Sequence, residues 1–125
     1  MKWYFRDLQK YSDTDPFTFN ENLQIKADLL DRYADEVIDA SDFHVEGTAF
    51  ADRGDVIIDS HIVGKLVVPS SRSLTPVDLP LDFTVEEFYV PSKAAESRYG
   101  KDDVVFVLDE DDIVDMQRAV VDNVI

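Results

Sequence analysis

The sequence predicts an α+β fold, a strongly twisted antiparallel sheet of about five strands with two helices. Five segments carry the alternating or continuous apolar patterns of strands, and two carry helical spacing. Hydrophobic residues make up 45% and charged residues 31% of the 125 residues, so one domain spanning 1–125 can bury a core without disulfides or metals.

In the first half of the chain, apolar and polar residues alternate from Phe17 to Ile25, which predicts a half-buried strand. Ala27, Leu30, Ala34 and Val37 then recur at helical spacing and predict an amphipathic helix over 27–37. Period-two alternation returns at Phe43 and predicts a second strand. The segment 52–55 predicts a turn, because Gly54 can adopt a positive φ.

In the second half, a long strand is predicted over 55–68, with a bulge at Gly64. The segment 69–76 is rich in proline and serine and predicts a loop or a tight hairpin connection. The next strand covers 79–86, and Pro80 places it at a sheet edge or makes its start irregular. A mobile loop over 91–101, a strand over 104–108 and a helix from Ile113 complete the chain.

The final helix has an acidic start and an uncapped apolar end. Asp109, Asp111 and Asp112 suit the positive N-terminal end of a helix, which is a more economical explanation than a calcium loop with the wrong spacing. The apolar end at Ile125 suggests that the sequence is a fragment truncated at its C-terminus.

Charge and composition limit the classes of function. Twelve Lys and Arg face 27 Asp and Glu, a net charge of -15, which disfavours non-specific nucleic-acid binding and favours a basic protein partner. The alternative is that the acidity serves solubility only. There is no cysteine, so thiolate metal sites and cysteine nucleophiles are excluded. No transmembrane or signal segment is evident, and a cytoplasmic location without membrane contact is the default expectation.

The residues give no chemical argument for an enzyme. His44 and His61 could meet across paired strands, but two histidines make an incomplete metal site, and solvent-facing strand positions explain both. Glu86 and Glu87 are adjacent on a strand and point to opposite faces, so they cannot act as a catalytic pair. No phosphate loop, hydrolase or zinc-protease motif occurs, so we expect no cofactor, no metal and no small-molecule substrate.

The loop 69–76 is the most suggestive segment. Arg72 is a lone base in a serine-rich turn, where its guanidinium could bind a phosphate or a carboxylate. The alternative for Arg72 is an ordinary exposed loop arginine, and spacing alone favours that alternative.

The block from Gly64 to Val77, followed by Leu79–Phe83 and Glu87-Phe88, resembles the signature of the YceD family. The similarity extends to 2–10, 45–49 and 112–125, so it covers most of the chain. Members are described as large-ribosomal-RNA-subunit accumulation proteins, with metal or nucleic-acid binding also suggested. They usually continue beyond the point where this chain ends. Many carry Cys-x-Arg-Cys in the loop, where this chain has Ser70 and Ser73 around a matching Arg72, so the metal site does not carry over.

The resemblance implies a non-catalytic factor in large-subunit (23S) ribosomal RNA accumulation or ribosome assembly. The partner would be a basic ribosomal protein or a large-subunit RNA precursor complex, recruited by the acidic surface near the loop 69–76. The expected partner- or nucleic-acid-binding residues are Arg72, Ser70, Ser73 and Lys65. Direct RNA binding through a patch of Arg72, Lys65 and His61 is one alternative, and an undetected metal-dependent enzyme is another.

Overall fold

The computed structural model describes residues 2–108 and 112–124 and confirms an α+β fold. These residues form eight strands: β1 (Lys2–Tyr4), β2 (Phe17–Leu23), β3 (Asp39–Ala40), β4 (Phe43–Asp52), β5 (Asp55–Pro69), β6 (Pro76–Val90), β7 (Val104–Val107) and β8 (Ile113–Asp115). They also form four helices: α1 (Phe5–Leu8), α2 (Lys26–Tyr33), α3 (Lys93–Glu96) and α4 (Met116–Val124). None of the helices in this part of the chain has the length and apolar character needed to span a membrane.

The sheet is mixed and six-stranded, so the prediction of about five purely antiparallel strands is wrong in detail. Its order is β2-β4-β5-β6-β7, and β3 pairs with the part of β5 that extends past the start of β4. The short connections 53–54 and 70–75 form hairpins, which make their flanking strands antiparallel. The longer connection 91–103 brings the chain back only as far as Glu87, and β7 therefore runs parallel to the last four residues of β6.

The two predicted helices exist, and two further helices of four residues each were missed. One turn is too short to show helical periodicity in a sequence. The predicted helix over 27–37 ends at Tyr33, because Ile38 donates a backbone hydrogen bond to Val67 and leads the chain into β3. The predicted helix from Ile113 begins at Met116, because β8 first pairs with β1 in a separate two-stranded sheet.

The acidic cluster before the last helix has a different place from the one predicted. Asp109 and Asp111 lie outside the described residues. Asp112 precedes β8, and its carbonyl accepts a 2.9 Å hydrogen bond from the Phe5 amide. The carboxylate at the first turn of α4 is Asp115, whose Oδ1 lies 3.2 Å from the Arg118 amide.

One face of the large sheet packs against the helices and forms the core. Buried side chains on this face alternate along each strand, such as Val45 in β4 with Ile58 and Ile62 in β5, and they join Leu29 of α2 and Val120 of α4 in one cluster. We call the opposite side the outer face. It carries the even-numbered residues of β4 and β6 and the odd-numbered residues of β5. The connection between β6 and β7 packs on one end of this face, at Asp55 and Phe88. The side chains of β5 on this face between Asp59 and Lys65 are exposed or half-buried.

Gly64 does not form the predicted bulge. The β5–β6 register runs without interruption through Gly64, opposite Leu81. A Cβ atom at Gly64 would lie 2.6 Å from the ring of Phe43, which is fully buried. The glycine is therefore explained by the close approach of an aromatic ring rather than by a break in strand pairing.

The connection 91–103, which includes the mobile loop predicted over 91–101, contains α3 and is attached to the β4–β5 turn. Arg98 Nη2 lies 2.6 Å and 2.7 Å from the two carboxylate oxygens of Asp55, and the Tyr99 hydroxyl also donates to Asp55. The Tyr99 ring packs against Phe88, with ring centroids 4.5 Å apart. These contacts fix the second half of the connection against the sheet.

Candidate functional site

The predicted binding loop lies at the tip of the β5–β6 hairpin. Pro69 pairs with Pro76, and the loop between them closes through the Ser70 amide, which donates to the Thr75 carbonyl at 2.8 Å. The Leu74 amide donates to the Ser70 carbonyl at 3.0 Å, and Leu74 adopts φ 58. The loop is thus a compact hydrogen-bonded turn, with Leu74 in the left-handed region that disfavours branched side chains.

Ser70 and Ser73 use their hydroxyls inside this loop. Ser70 Oγ accepts a 3.3 Å hydrogen bond from the Arg72 amide, and Ser73 Oγ is hydrogen-bonded to Thr75 Oγ1. These bonds, together with the flanking prolines, hold the turn. A role for either serine in partner contact stays a prediction.

Arg72 lies in the exposed part of the turn. Its side chain is exposed, and none of the ion pairs found in 2–108 and 112–124 includes it. Its neighbour Leu74 is 73% exposed, and Val77 and Leu79 on the adjoining strand are also exposed. The hairpin tip therefore presents one cation beside several apolar side chains.

Lys65 is not brought to the loop. It lies on the outer face four residues before the end of β5, roughly 13 Å along the strand from Pro69. Its Nζ is 3.8 Å from Asp78 Oδ2. Its backbone amide and carbonyl both bond to Ser41, at 2.9 Å each. The predicted set of four residues is therefore split between the hairpin tip and the outer face.

A polar network that the sequence analysis missed crosses the outer face. The two histidines approach one carboxylate, as Glu46 lies 3.9 Å from His44 Nε2 and 3.5 Å from His61 Nδ1. His61 Nε2 is 2.6 Å from Asp82 Oδ1, and this contact, followed by Glu46, raises the pKa of His61 above its ordinary value. His61, the third residue of the alternative RNA-binding patch, therefore lies between two acidic side chains. No group of side chains with metal-binding geometry occurs in the described residues.

The same face carries a pair of carboxylates that directly oppose each other. Asp59 of β5 pairs with Glu86 of β6, and both side chains are exposed on the outer face. Partial desolvation and the proximity of Asp59 raise the pKa of Glu86. Further carboxylates of this face are Glu46, Asp78 and Asp82. The strand alternation in the sequence contained this signal, but only the register between strands shows that the acids converge.

Glu87 points the other way, into the core, as the sequence predicted for adjacent strand residues. It is 0% exposed, and burial raises its pKa to about 7. Asn123 of α4 donates to its Oε2 at 3.0 Å, while Oε1 has no hydrogen-bond partner among the described residues. Glu86 and Glu87 therefore act in separate environments and cannot share a substrate.

A groove between β1, α1 and β2 is lined mainly by aromatic and aliphatic side chains, among them Trp3, Tyr4 and Tyr11. Its two charged lining residues are Lys2 and Asp7. This lining offers apolar contact and contains no nucleophile adjacent to a base. The residues that do converge are the carboxylates of the open outer face, an arrangement suited to binding positive charge.

A family model described as "Large ribosomal RNA subunit accumulation protein YceD" matches residues 58–125, somewhat more than half of the chain. No curated protein and no solved structure matches the chain. The match includes most of β5, the hairpin loop and all of β6, and it confirms the resemblance drawn from the block Gly64–Val77. The resembling stretches at 2–10 and 45–49 lie before the matched residues.

Proposed function

The chain belongs to the YceD family, and from this premise we propose that it is a non-catalytic factor in large-subunit ribosomal RNA accumulation. It acts by binding a basic ribosomal protein, alone or in complex with precursor RNA. The family match over residues 58–125 is the observation that carries this proposal.

The charge distribution supports a basic partner. The chain has a net charge of -15, and the outer face carries five exposed or half-buried carboxylates: Glu46, Asp59, Asp78, Asp82 and Glu86. An acidic surface attracts a basic protein and repels the phosphate backbone of RNA. The hairpin tip, with Arg72 and the exposed Leu74, lies at the end of the same strand pair and provides a second, more apolar contact.

Deletion of the gene in its native host, followed by complementation, tests the proposed role. We expect deletion to lower the ratio of large-subunit to small-subunit ribosomal RNA, and the wild-type chain to restore it. Affinity purification of the tagged full chain should recover a basic large-subunit protein. An unchanged ratio in the deletion strain would contradict the proposal.

Arg72 also supports a second candidate, direct RNA binding, because its guanidinium is exposed and unpaired among the described residues. We expect Arg72→Ala to weaken partner recovery more than Lys93→Ala, an exposed lysine on α3 that serves as the matched control. A titration with large-subunit RNA fragments separates the two candidates. Direct phosphate contact predicts affinity that falls steeply with salt, whereas a protein partner predicts no measurable affinity for RNA alone.

A further inference from the structure

The outer edge of β6 is unpaired over most of its length. β7 pairs with β6 only from Glu87 to Val90. Between Pro76 and Glu86, β5 lies on one side of β6, and no strand within 2–108 and 112–124 lies on the other. The side chains of this stretch are exposed or half-buried. β6 therefore offers a long strand edge to solvent.

The backbone groups that face this edge can be assigned. Lys65 directs its amide and carbonyl to Ser41, away from β6, so the opposite residue, Pro80, directs its own backbone to the free side. At the other end, the Val90 carbonyl accepts a hydrogen bond from Leu108 on the same side. The backbone amides and carbonyls of successive residues point to opposite sides of a strand. Asp82 and Thr84, at the same parity as Pro80, therefore also present theirs to the free edge. Pro80 has no amide hydrogen, so it leaves no unpaired N–H group at this edge.

Acidic side chains border this edge at regular spacing. Asp78, Asp82 and Glu86 occur every four residues on the outer face of β6, and Asp59 lies directly across from Glu86. Nearby cations are few: Lys65 approaches Asp78 at 3.8 Å, and His61 approaches Asp82 at 2.6 Å. An approaching chain meets unpaired hydrogen-bonding groups and negative charge together.

This combination selects the chemistry of the partner. A second copy of the chain would bring its own row of carboxylates beside this one and be repelled, which is how natural edges avoid self-association. RNA lacks the amide ladder of a strand, and its phosphates would face the same carboxylates. An extended lysine- or arginine-rich peptide matches both features, since main-chain bonds would supply affinity and alternate side chains would reach the acids.

We propose that the free edge of β6 around Asp82 and Thr84 binds an extended basic segment of a partner protein as an added strand. This rests on the proposed function, in which the partner is a basic protein, and it specifies where and in what conformation that partner binds. Asp82 and Glu86 pair with its cationic side chains, and Asp59 adds to the field that attracts them.

The test uses the full chain and a fluorescent peptide of about ten residues in which lysine and threonine alternate. Thr84→Pro removes the outward amide, while Thr84→Ala keeps it and is the matched control. We expect Thr84→Pro to weaken binding roughly tenfold or more and Thr84→Ala by less than about twofold, because only the former loses ladder hydrogen bonds. A peptide methylated on alternate amide nitrogens should lose binding similarly on the unmodified protein, which keeps the test decisive if Thr84→Pro fails to fold.

Charge is tested separately by the double variant Asp82→Asn/Glu86→Gln and by a peptide with glutamate in place of lysine. Both should bind more weakly, and amide NMR shifts of the wild-type chain should concentrate at 78–86. Equal binding of the methylated and unmodified peptides, shifts centred elsewhere, or displacement of the peptide by single-stranded RNA at these amides would each overturn the proposal.

The two proposals fail in different ways. If a folded Thr84→Pro chain loses the peptide yet still restores the ribosomal RNA ratio and recovers the protein partner, the edge is not the binding site and the proposed function stands. If deletion leaves the RNA ratio unchanged, the proposed function fails whatever the peptide does.

Discussion

Glu87 illustrates how neighbouring residues on one strand take opposite roles. Its carboxyl lies in the core beside α4 with one hydrogen bond from Asn123, whereas Glu86 lies on the outer face beside Asp59. Burial disfavours the charged form of Glu87 and raises its pKa from 4.5 to about 7. The unfolded chain ionises this group near its ordinary pKa, so the two states bind protons differently between these values.

From this follows a prediction about pH. Between pH 4.5 and 7 the folded chain holds a proton on Glu87 that the unfolded chain has released, so the free energy of unfolding falls as pH rises through this window. The loss attributable to Glu87 is about 3 kcal/mol and is complete above pH 7. Urea unfolding at pH 5 and pH 8 should show that Glu87→Gln removes most of this difference.

The matched control for Glu87 is Glu96→Gln, an exposed glutamate on α3. It should leave the pH dependence of unfolding as in the wild type. If Glu87→Gln and wild type lose equal free energy between the two pH values, the buried carboxyl does not keep its proton in the folded state.

A second residue-level prediction concerns Gly64. Alanine there would place a Cβ atom 2.6 Å from the Phe43 ring, so we expect Gly64→Ala to lower the free energy of unfolding by about 1–3 kcal/mol. Gly100→Ala is the control, because its Cβ atom would meet only Asp103 Oδ2 at 3.7 Å. Equal unfolding midpoints for the two variants in urea would refute the packing explanation.

At the scale of elements, the connection 91–103 depends on one anchor. The Asp55 side chain is 2% exposed and is bound by Arg98, whose own side chain is 45% exposed. A buried carboxylate without its cation costs more than an exposed one. The anchor thus couples the start of β5 to the segment that brings the chain into β7.

We expect Arg98→Ala to lower the free energy of unfolding by about 2 kcal/mol, a value reduced for the solvent exposure of the arginine. Lys93→Ala in the same connection should cost less than about 0.5 kcal/mol. Thermal and urea unfolding measure both. A loss for Arg98→Ala no larger than that for Lys93→Ala would contradict the anchor.

The sequence predicted those elements whose patterns are long enough to be periodic. β2, β4, β5 and the two longer helices were found within a few residues of their ends, and the 52–55 turn forms with Arg53 and Gly54 at φ 56 and φ 87. Three features were beyond local patterns. β1 and β8 pair with each other although almost the whole chain separates them in sequence. The parallel direction of β7 follows from the path of the connection before it. The contact between Phe43 and Gly64 joins residues of different strands, so the sequence alone does not show it.

The candidate site was predictable in part for a similar reason. Arg72 stands out in the sequence because it is a lone base in a turn. The acids of the outer face are ordinary alternating strand residues until the register places Asp59 opposite Glu86 and His61 beside Asp82. Lys65 is close to the loop in the sequence, but the last four residues of β5 separate it from the hairpin tip.

At the scale of the whole molecule, the exposed part of the outer face carries a group of carboxylates. Like charges opposed across paired strands destabilise the fold, and the net charge of -15 adds a general repulsion. These opposed carboxylates therefore lower the stability of the free protein.

This cost predicts that salt stabilises the free protein. Raising sodium chloride from about 20 mM to about 500 mM should increase the free energy of unfolding by roughly 1 kcal/mol, because screening weakens the repulsion among exposed carboxylates. Asp59→Asn/Glu86→Gln should be more stable than wild type at low salt and should respond less to salt. If the double variant shows the same salt response as wild type, the opposed pair does not contribute to the repulsion.

The pairing of β1 with β8 determines when the fold can be completed during translation. Lys2 must wait for Asp115, and Trp3 for Val114, until nearly all of the chain described here has left the exit tunnel. Until then the nascent chain keeps its first strand unpaired, a state that favours premature association. The two-stranded sheet therefore forms only after residues 113–115 have been synthesised and released, although β1 precedes every other strand described.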